Sequence, residues 1–475
     1  MKHNFTRKAL IIFALAIFYS QLFSQLDGTK VRIFASSADS KYMLEEQESA
    51  VFKTDFETEN LLLNIEPNFK YQKVLGFGGA ITEASAYNFA LLPPAAQEQL
   101  AELLFGKKGI NLNFCRTHIN SCDFALDEYT CVKEGDKELK TFNIDRDKKY
   151  IIPIIQAALK VNPDLLLFAS PWSPPAFMKD NNSMVKGGSL LPEYYQAWAN
   201  YFSLYLKEYK KAGINFFAVS IQNEPKAVQT WESCIWTGKQ EGEFAAKFLR
   251  PTLNKTGFKQ TKIIVWDHNK ERVMERAKES MSVPKAEKAI WGIGFHWYSG
   301  DHFDNLRMTH ELYPDKPLIA TEFCVGSEIK RESWGEVEQY ASEMIGNFNN
   351  FMSASTDWNL IVDSKGGPYH NRTNGGVKAQ VYVDENNKSF ILGPLYYTVG
   401  HFSKFIKRDA VRIGSSSYSD AVKAAAFQNP DGEIVVVVLN TGEQTFMPKI
   451  RMNNCTAEFK LPAKSLQTLI IPAQK

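Results

Sequence analysis

Two glutamates in this chain stand where a buried strand ends, a position from which carboxylates can do acid–base and nucleophilic work. Glu224 lies in Gln222-Asn223-Glu224-Pro225, after the apolar run Phe216-Phe217-Ala218-Val219-Ser220-Ile221; Glu322 lies in Ala320-Thr321-Glu322-Phe323-Cys324, after Leu318-Ile319-Ala320. Both runs read as buried strands. Side chains at the C-terminal ends of parallel strands gather at the mouth of a barrel. Two carboxylates converging there are the equipment for hydrolysing a glycosidic bond. In a retaining mechanism one attacks the anomeric carbon and the other, protonated, donates to the leaving oxygen, with the two groups about 5 to 5.5 Å apart. Asn223, directly before Glu224, is placed to hydrogen-bond a sugar 2-hydroxyl, a contact that strengthens in the transition state.

The rest of the chain supplies a scaffold for such a site. With 475 residues, 44% of them hydrophobic, it can bury a large core, and a net charge of +2 gives no basic surface for nucleic acid. Apolar runs alternate with amphipathic stretches from Val74 to about Ile361, the pattern of βα units closing a parallel sheet. Eight strands are expected: Val74 to Phe77, Phe114 to His118, Leu165 to Ser170, Phe216 to Gln222, Ile263 to Asp267, Ile293 to Trp297, Leu318 to Glu322 and Ser355 to Leu360. Eight is the number a (β/α)8 barrel needs. Helices are expected over Pro192 to Ala212 and Gly242 to Leu253. The first puts Tyr195, Trp198, Ala199, Phe202 and Leu206 on one face, a stripe that reads as core packing.

The flanks alternate as antiparallel strands do, at Lys30 to Phe34, Asn60 to Ile65 and across Asp409 to Pro472. Ala421 to Phe427 and Glu433 to Asn440 form a hairpin about Asn429-Pro430-Asp431-Gly432. The expected organisation is an export signal over residues 1–25, N-terminal strands of a β-sandwich over 26–70, the catalytic barrel over 71–405, and the remaining sandwich strands over 406–475. The signal reading rests on a basic start (Lys2, Arg7, Lys8) and an apolar stretch from Ala9 to Phe18, too short for a comfortable membrane span. A periplasmic or extracellular protein with no stable membrane anchor is the expectation. Six cysteines show no C-x-x-C metal spacing, and no connectivity is assigned to them. The Gly76 to Gly79 stretch, read as a turn, is no dinucleotide fingerprint, because position 81 is Ile where a small residue is needed. No cofactor or metal is implied, and oligomeric state is left open.

Eight short strings in order resemble glycoside hydrolase family 30, whose members join a (β/α)8 barrel to a β-sandwich and include glucosylceramidases and microbial β-1,6-glucanases. They are Gly76 to Ala84, Ser121 to Phe124, Ser170 to Pro175, Asn223-Glu224-Pro225, Phe295 to Tyr298, Thr321 to Gly326, Thr356 to Asn359 and Gly400 to Phe405. The resemblance implies Glu224 as acid/base and Glu322 as nucleophile. It also implies that Arg116, Asp123, Trp172, Asn223, His296, Tyr298 and Trp358 line the subsite for the non-reducing glucose. The residue types agree with this. Asp123 can accept from two adjacent hydroxyls, Trp172 and Trp358 offer apolar faces, and Arg116 and Tyr298 can hold a carboxylate ionised.

Beyond the first sugar, the loop Lys226 to Thr237 contains Trp231 and Trp236, two faces on which a leaving-group sugar can stack. That loop resembles the β-1,6-glucanase branch more than the glucosylceramidase branch. The expected activity is therefore retaining hydrolysis of a β-glucan or β-glucoside, with β-1,6-glucan first. A glucosylceramidase or exo-acting β-glucosidase is the alternative, and a non-catalytic carbohydrate-binding protein is the reading from another class. Dead relatives normally lose one carboxylate, and this chain keeps both.

Overall fold

The computed structural model describes residues 26–39, 43–56, 59–326, 334–372 and 375–474. They fall into two compact units, Val74–Lys404 and a second assembled from the chain up to Lys73 and from Phe405 onward. The expected export signal lies outside the described residues. No helix among the described residues is long and apolar enough to cross a membrane.

The larger unit is a closed barrel of parallel strands: β1 (Gly76–Ala80), β2 (Phe114–Ile119), β3 (Leu166–Pro171), β4 (Ala218–Ser220), β5 (Lys262–Asn269), β6 (Gly292–His296), β7 (Leu318–Phe323) and β8 (Met352–Asn359). Each pairs with the next in sequence, and β8 closes onto β1. All eight expected strands are present. Their near-continuous apolar character follows from burial on both faces, inside against the barrel core and outside against helices. Phe114, Phe168, Ala218, Ile264, Ile319 and Ala354, one from each of six strands, pack into a single cluster. Large and small side chains together fill the barrel's interior, so it is a packed core and leaves function to the mouth.

β1 differs from expectation. The glycine-rich string taken for a turn is itself the strand, and the glycines are a packing requirement. A Cβ on Gly78 would stand 1.9 Å from the Phe114 carbonyl oxygen, and one on Gly79 would stand 2.5 Å from a Leu360 methyl.

The helix Tyr195–Lys211 follows a 3-10 turn at Pro192–Tyr194 and buries the expected stripe together with Tyr201, Tyr205 and Tyr209. It stops at Gly213 (φ +81°), whose N–H donates to the Lys210 carbonyl while Ile214 N–H reaches Tyr209. These are the two bonds of a glycine C-cap. The segment expected as one helix from Gly242 to Leu253 instead runs as Gly238–Glu243, a π-helical turn at Phe244–Leu249, and Arg250–Lys255. Pro251 accounts for the irregularity, since its ring lacks an N–H and crowds the carbonyl four residues back. After β8 comes a small sheet of Ile361–Asp363, Val381–Asp384 and Ser389–Leu392, which sequence patterning did not reveal.

The smaller unit is a ten-stranded sheet built from both ends of the chain. Lys30–Ser37 pairs antiparallel with Ser465–Ile471, and Leu62–Lys73 with Val411–Ser417. The expected hairpin is present as Val422–Gln428 and Ile434–Asn440, turned at Gly432 with φ +87°. Val31, Ile33, Val436, Val438, Leu469 and Ile471 belong to its core. All six cysteines are free, and only Cys324 is not fully buried.

Gly78→Ala should lower stability by about 1–3 kcal/mol or more, because β1 cannot move away from the β2 backbone without opening the barrel. Thermal unfolding followed by circular dichroism checks this. An unchanged midpoint would show that the strand shifts freely.

Candidate active site

The site is organised from below by Arg116, near the middle of β2. Its guanidinium is fully buried, and each of its five N–H groups has an acceptor. Nε donates to Ser170 Oγ at 3.1 Å; Nη1 donates to the Thr321 carbonyl at 3.2 Å and Glu322 Oε2 at 2.8 Å; Nη2 donates to Asn223 Oδ1 at 2.9 Å and Asp267 Oδ2 at 2.8 Å. The acceptors come from β3, from β7, from the turn after β4 and from β5. The guanidinium carbon also lies 4.7 Å from the Trp172 ring centroid.

Glu322, at the end of β7, receives this cation on one oxygen and the Tyr298 hydroxyl on the other, at 2.7 Å. Burial raises its carboxyl above the ordinary value, and the His296 and Arg116 charges offset that only in part. Glu224 has different neighbours. Its Oε1 accepts from His296 Nδ1 at 3.2 Å, and His268 Nδ1 stands 3.7 Å away. Burial would raise Glu224, but the His296 hydrogen bond and the two imidazoles outweigh it and hold the carboxyl at about 2. His296 shows the reciprocal effect. Burial would lower it, yet the Glu322 charge and its contacts with Asp267 and Glu224 push it up to about 9. In this arrangement the proton of the pair rests on His296 and Glu224 is the ionised partner.

Backbone geometry explains how these groups converge. Trp266 and Asp267 both have positive φ (73° and 51°), and the β5–β6 register skips a residue there, with Gly294 opposite Trp266 and Phe295 opposite His268. This bulge turns two consecutive side chains to the site. Asp267 accepts from Arg116 and, at 2.9 Å, from His296 Nε2, while His268 faces the cavity. Glu224 is also left-handed, with φ 45°, and its N–H donates to the Asp267 carbonyl at 3.0 Å. A bulky residue in that conformation persists only where its surroundings hold it.

Above these groups is a cavity of about 570 Å³. Of the residues named from sequence, Asp123, Trp172, Asn223, Glu224, Trp231, Tyr298, Glu322 and Trp358 line it. Trp172 and Trp358 stack with centroids 5.2 Å apart. Three expectations need correction. Arg116 and His296 are wholly buried and hold the carboxylates from beneath instead of lining the sugar subsite. Trp236 is 2% exposed and packs on Tyr195 and Phe244, at 5.6 and 5.3 Å. It braces the loop and offers no face to a ligand.

Four residues with no role assigned from sequence enter the site. Asp267 and His268 had a local signal, since polar residues ended an expected strand. Arg372 and His370 had none, because they come from the irregular connection after Ile361–Asp363. Arg372 forms an ion pair with Asp123, and its guanidinium lies over Trp231 and Phe124, at 5.1 and 4.9 Å from the ring centroids. Burial lifts Asp123 to about 6 against the pull of that cation. His370 donates from Nδ1 to the Ala125 carbonyl at 2.9 Å and from Nε2 to the buried Glu232 at 3.0 Å. The loops after β2, β4 and β8 are thereby latched together beside the cavity. A larger depression of about 810 Å³ on the smaller unit, lined by residues such as Gln47, Glu458 and Lys464, gathers no comparable set of convergent groups.

A closed (β/α)8 barrel whose mouth brings two strand-end carboxylates and a pair of stacked tryptophans to one cavity has the architecture of a glycoside hydrolase. The glycosyl hydrolase family 30 TIM-barrel domain matches residues 74–406, and that family's beta sandwich domain matches residues 409–469. The chain belongs to glycosyl hydrolase family 30 and is a glycosidase by that membership. It is 35% identical over 404 residues to the lysosomal acid glucosylceramidase of Mus musculus, covering 81% of this chain and 78% of that one. It is 28% identical over 428 residues to the endo-1,6-beta-D-glucanase of Neurospora crassa, covering 86% and 88%. Among solved structures, SrfJ from Salmonella typhimurium aligns with a TM-score of 0.91 at 35% identity, over 94% of this chain and 100% of that one. An endo-beta1,6-glucanase aligns with a TM-score of 0.85 at 28% identity, over 94% and 99%.

The latch gives a pH-dependent prediction. Burial lowers His370, but the hydrogen bond and charge of Glu232 dominate and push it from 6.5 up to about 9. A raised folded-state value means that the folded chain binds the proton more tightly, so the stabilisation is complete below pH 6.5 and lost as pH rises through about 9. Thermal midpoints measured across that window should fall less steeply in His370→Gln than in the wild type. Superimposable slopes would show that the pair contributes nothing.

Proposed function

We propose that the protein is a retaining β-glucoside hydrolase in which Glu322 is the nucleophile and Glu224 the acid/base. The observation that carries this reading is the asymmetry of the two carboxylates on one cavity. Glu322 is held by a guanidinium and a phenol hydroxyl, contacts that orient an anion toward an anomeric carbon. Glu224 is hydrogen-bonded to a protonated His296, a partner that can pass it a proton for the leaving oxygen and take one back. In the first step Glu322 forms a bond to C1 as the glycosidic C–O bond breaks, and the His296 proton passes through Glu224 to the leaving oxygen. In the second step a water loses a proton to Glu224 and displaces Glu322 from C1. Asn223, fixed by Arg116, is placed to bind the sugar 2-hydroxyl.

For the substrate we favour a β-1,6-linked glucan. The support is Trp231 at the cavity wall beside Glu224, rigidly backed by Arg372, and likeness to proteins named as endo-1,6-glucanases. A 1,6 linkage has an extra rotatable bond and curls, so a compact cavity with one aromatic wall can hold the next sugar. The second reading is a glucoside with an apolar leaving group such as ceramide. It is favoured by Val228 and Tyr369, which are 61% and 38% exposed on the loops that carry Trp231 and Arg372. The basic and apolar start of the chain supports export, which puts either substrate outside the cytoplasm.

Glu322→Gln should abolish turnover and leave the fold intact, and a fluoro-glucoside should label Glu322 in the wild type. Glu224→Ala should slow natural glucan far more than an aryl glucoside with an acidic phenol. Equal slowing of both substrates, or an α-anomer as first product by proton NMR, would overturn the roles.

Trp231→Ala should weaken β-1,6-glucan cleavage about threefold to tenfold, the loss of roughly 0.5–1.5 kcal/mol of stacking, with less effect on an aryl glucoside. Trp236→Ala should instead cost about 3–5 kcal/mol of stability. Glucosylceramide turnover without glucan cleavage on the same assay panel would select the second reading.

A further inference from the structure

Three nitrogen and oxygen donors converge at the cavity floor. Among the described residues, Glu224, His268 and His296 form the group of acidic, thiol or imidazole side chains whose ligand atoms all lie within 4.8 Å of one another. Glu224 Oε1 is 3.2 Å from His296 Nδ1 and 3.7 Å from His268 Nδ1. Two ligands on one tetrahedral metal ion, at about 2.0–2.1 Å from it, stand about 3.3 Å apart. The observed spacing needs only small side-chain adjustments to meet that.

Two further observations point to a ligand. His268 Nδ1 is a buried ring nitrogen with no hydrogen-bond partner, on a residue that faces the cavity. His296 Nε2 is bound to Asp267 Oδ1 at 2.9 Å, which fixes the ring and turns Nδ1 toward Glu224. A carboxylate behind an imidazole is the arrangement that orients histidines on metals and raises their basicity. Asp267 is itself held by Arg116, so the ring has little freedom to turn away.

We propose that His268, His296 and Glu224 form an inhibitory site for a borderline divalent transition metal, Zn²⁺ or Cu²⁺, that caps the acid/base carboxylate. Two imidazoles and one carboxylate select these ions over Mg²⁺ and Ca²⁺, which require oxygen donors. Binding forms two metal–nitrogen bonds and one metal–oxygen bond and displaces the proton from His296 Nδ1 to solvent. The fourth position opens to the cavity, where water or a sugar hydroxyl completes the coordination. Inhibition rests on the reading of Glu224 as acid/base, whereas the site itself does not.

The test separates the two. Calorimetric titration of the full chain with Zn²⁺ should show one site, and Cu²⁺ should show nitrogen hyperfine structure in its electron paramagnetic resonance spectrum. His268→Ala and His268→Asn, each checked for an unchanged melting profile, should lose at least about tenfold in affinity. His302→Ala, at an exposed histidine, should lose none, and Mg²⁺ should not bind. Hydrolysis of an aryl β-glucoside should fall with Zn²⁺ and return with a chelator. Affinity that survives both His268 substitutions, or equal binding of Mg²⁺, overturns the site. Metal binding that depends on His268 but leaves hydrolysis untouched overturns the capping of Glu224 and leaves the coordination standing.

Discussion

A single buried cation, Arg116, sets the geometry on which the rest of the site depends. A guanidinium out of water is tolerated only with its charge balanced and its donors filled, and here all five N–H groups have acceptors, two of them carboxylates. The five acceptors come from four strands or strand ends, so the mouth of the barrel closes around one planar fork. Loss of Asp267 or Glu322 would leave buried charge uncompensated, an imbalance worth about 3–5 kcal/mol in comparable pairs. Lysine could not substitute, since a point charge with three donors cannot hold Asn223, Asp267 and Glu322 in fixed directions at once.

From that anchor the two glutamates acquire unlike environments. Glu322 meets the cation directly. Glu224 meets it only through Asp267 and His296, so the relay from Arg116 to Asp267 to His296 to Glu224 alternates charge sign and ends at the acid/base candidate. The backbone yields to make this possible. The left-handed residues Glu224, Trp266 and Asp267 cluster at two adjacent strand ends, where unfavourable torsions are held by the surrounding hydrogen bonds.

Much of this was legible in the sequence because it is local. Burial on both faces makes barrel strands read as continuous apolar runs, and a polar residue that ends such a run has one place to point. That rule found Glu224 and Glu322, and applied to Trp266-Asp267-His268 it would have found two more. Arg116 and His296 were expected among the ligand contacts from the resemblance, and nothing local in the sequence distinguishes a residue under the cavity from one facing it. Trp236 failed for a similar reason: type and proximity to Glu224 matched a sugar platform, but its partners Tyr195 and Phe244 lie on elements whose packing only the fold reveals. Arg372 and His370 sit in an irregular connection with no periodicity, and their contacts to Asp123 and Glu232 join residues far apart in sequence.

The pairing of Lys30–Ser37 with Ser465–Ile471 bears on how the molecule is made. A ribosome delivers the first of these strands long before the second, and the loop between them spans the whole barrel. Closing so long a loop adds little equilibrium cost, since the entropy grows only logarithmically with length, but it forces an order of events. The barrel segment emerges complete and can collapse on its own contacts, while the early strands wait with open backbone edges until the last residues appear. For that interval the N-terminal strands are the part of the nascent chain most exposed to mispairing with a neighbour.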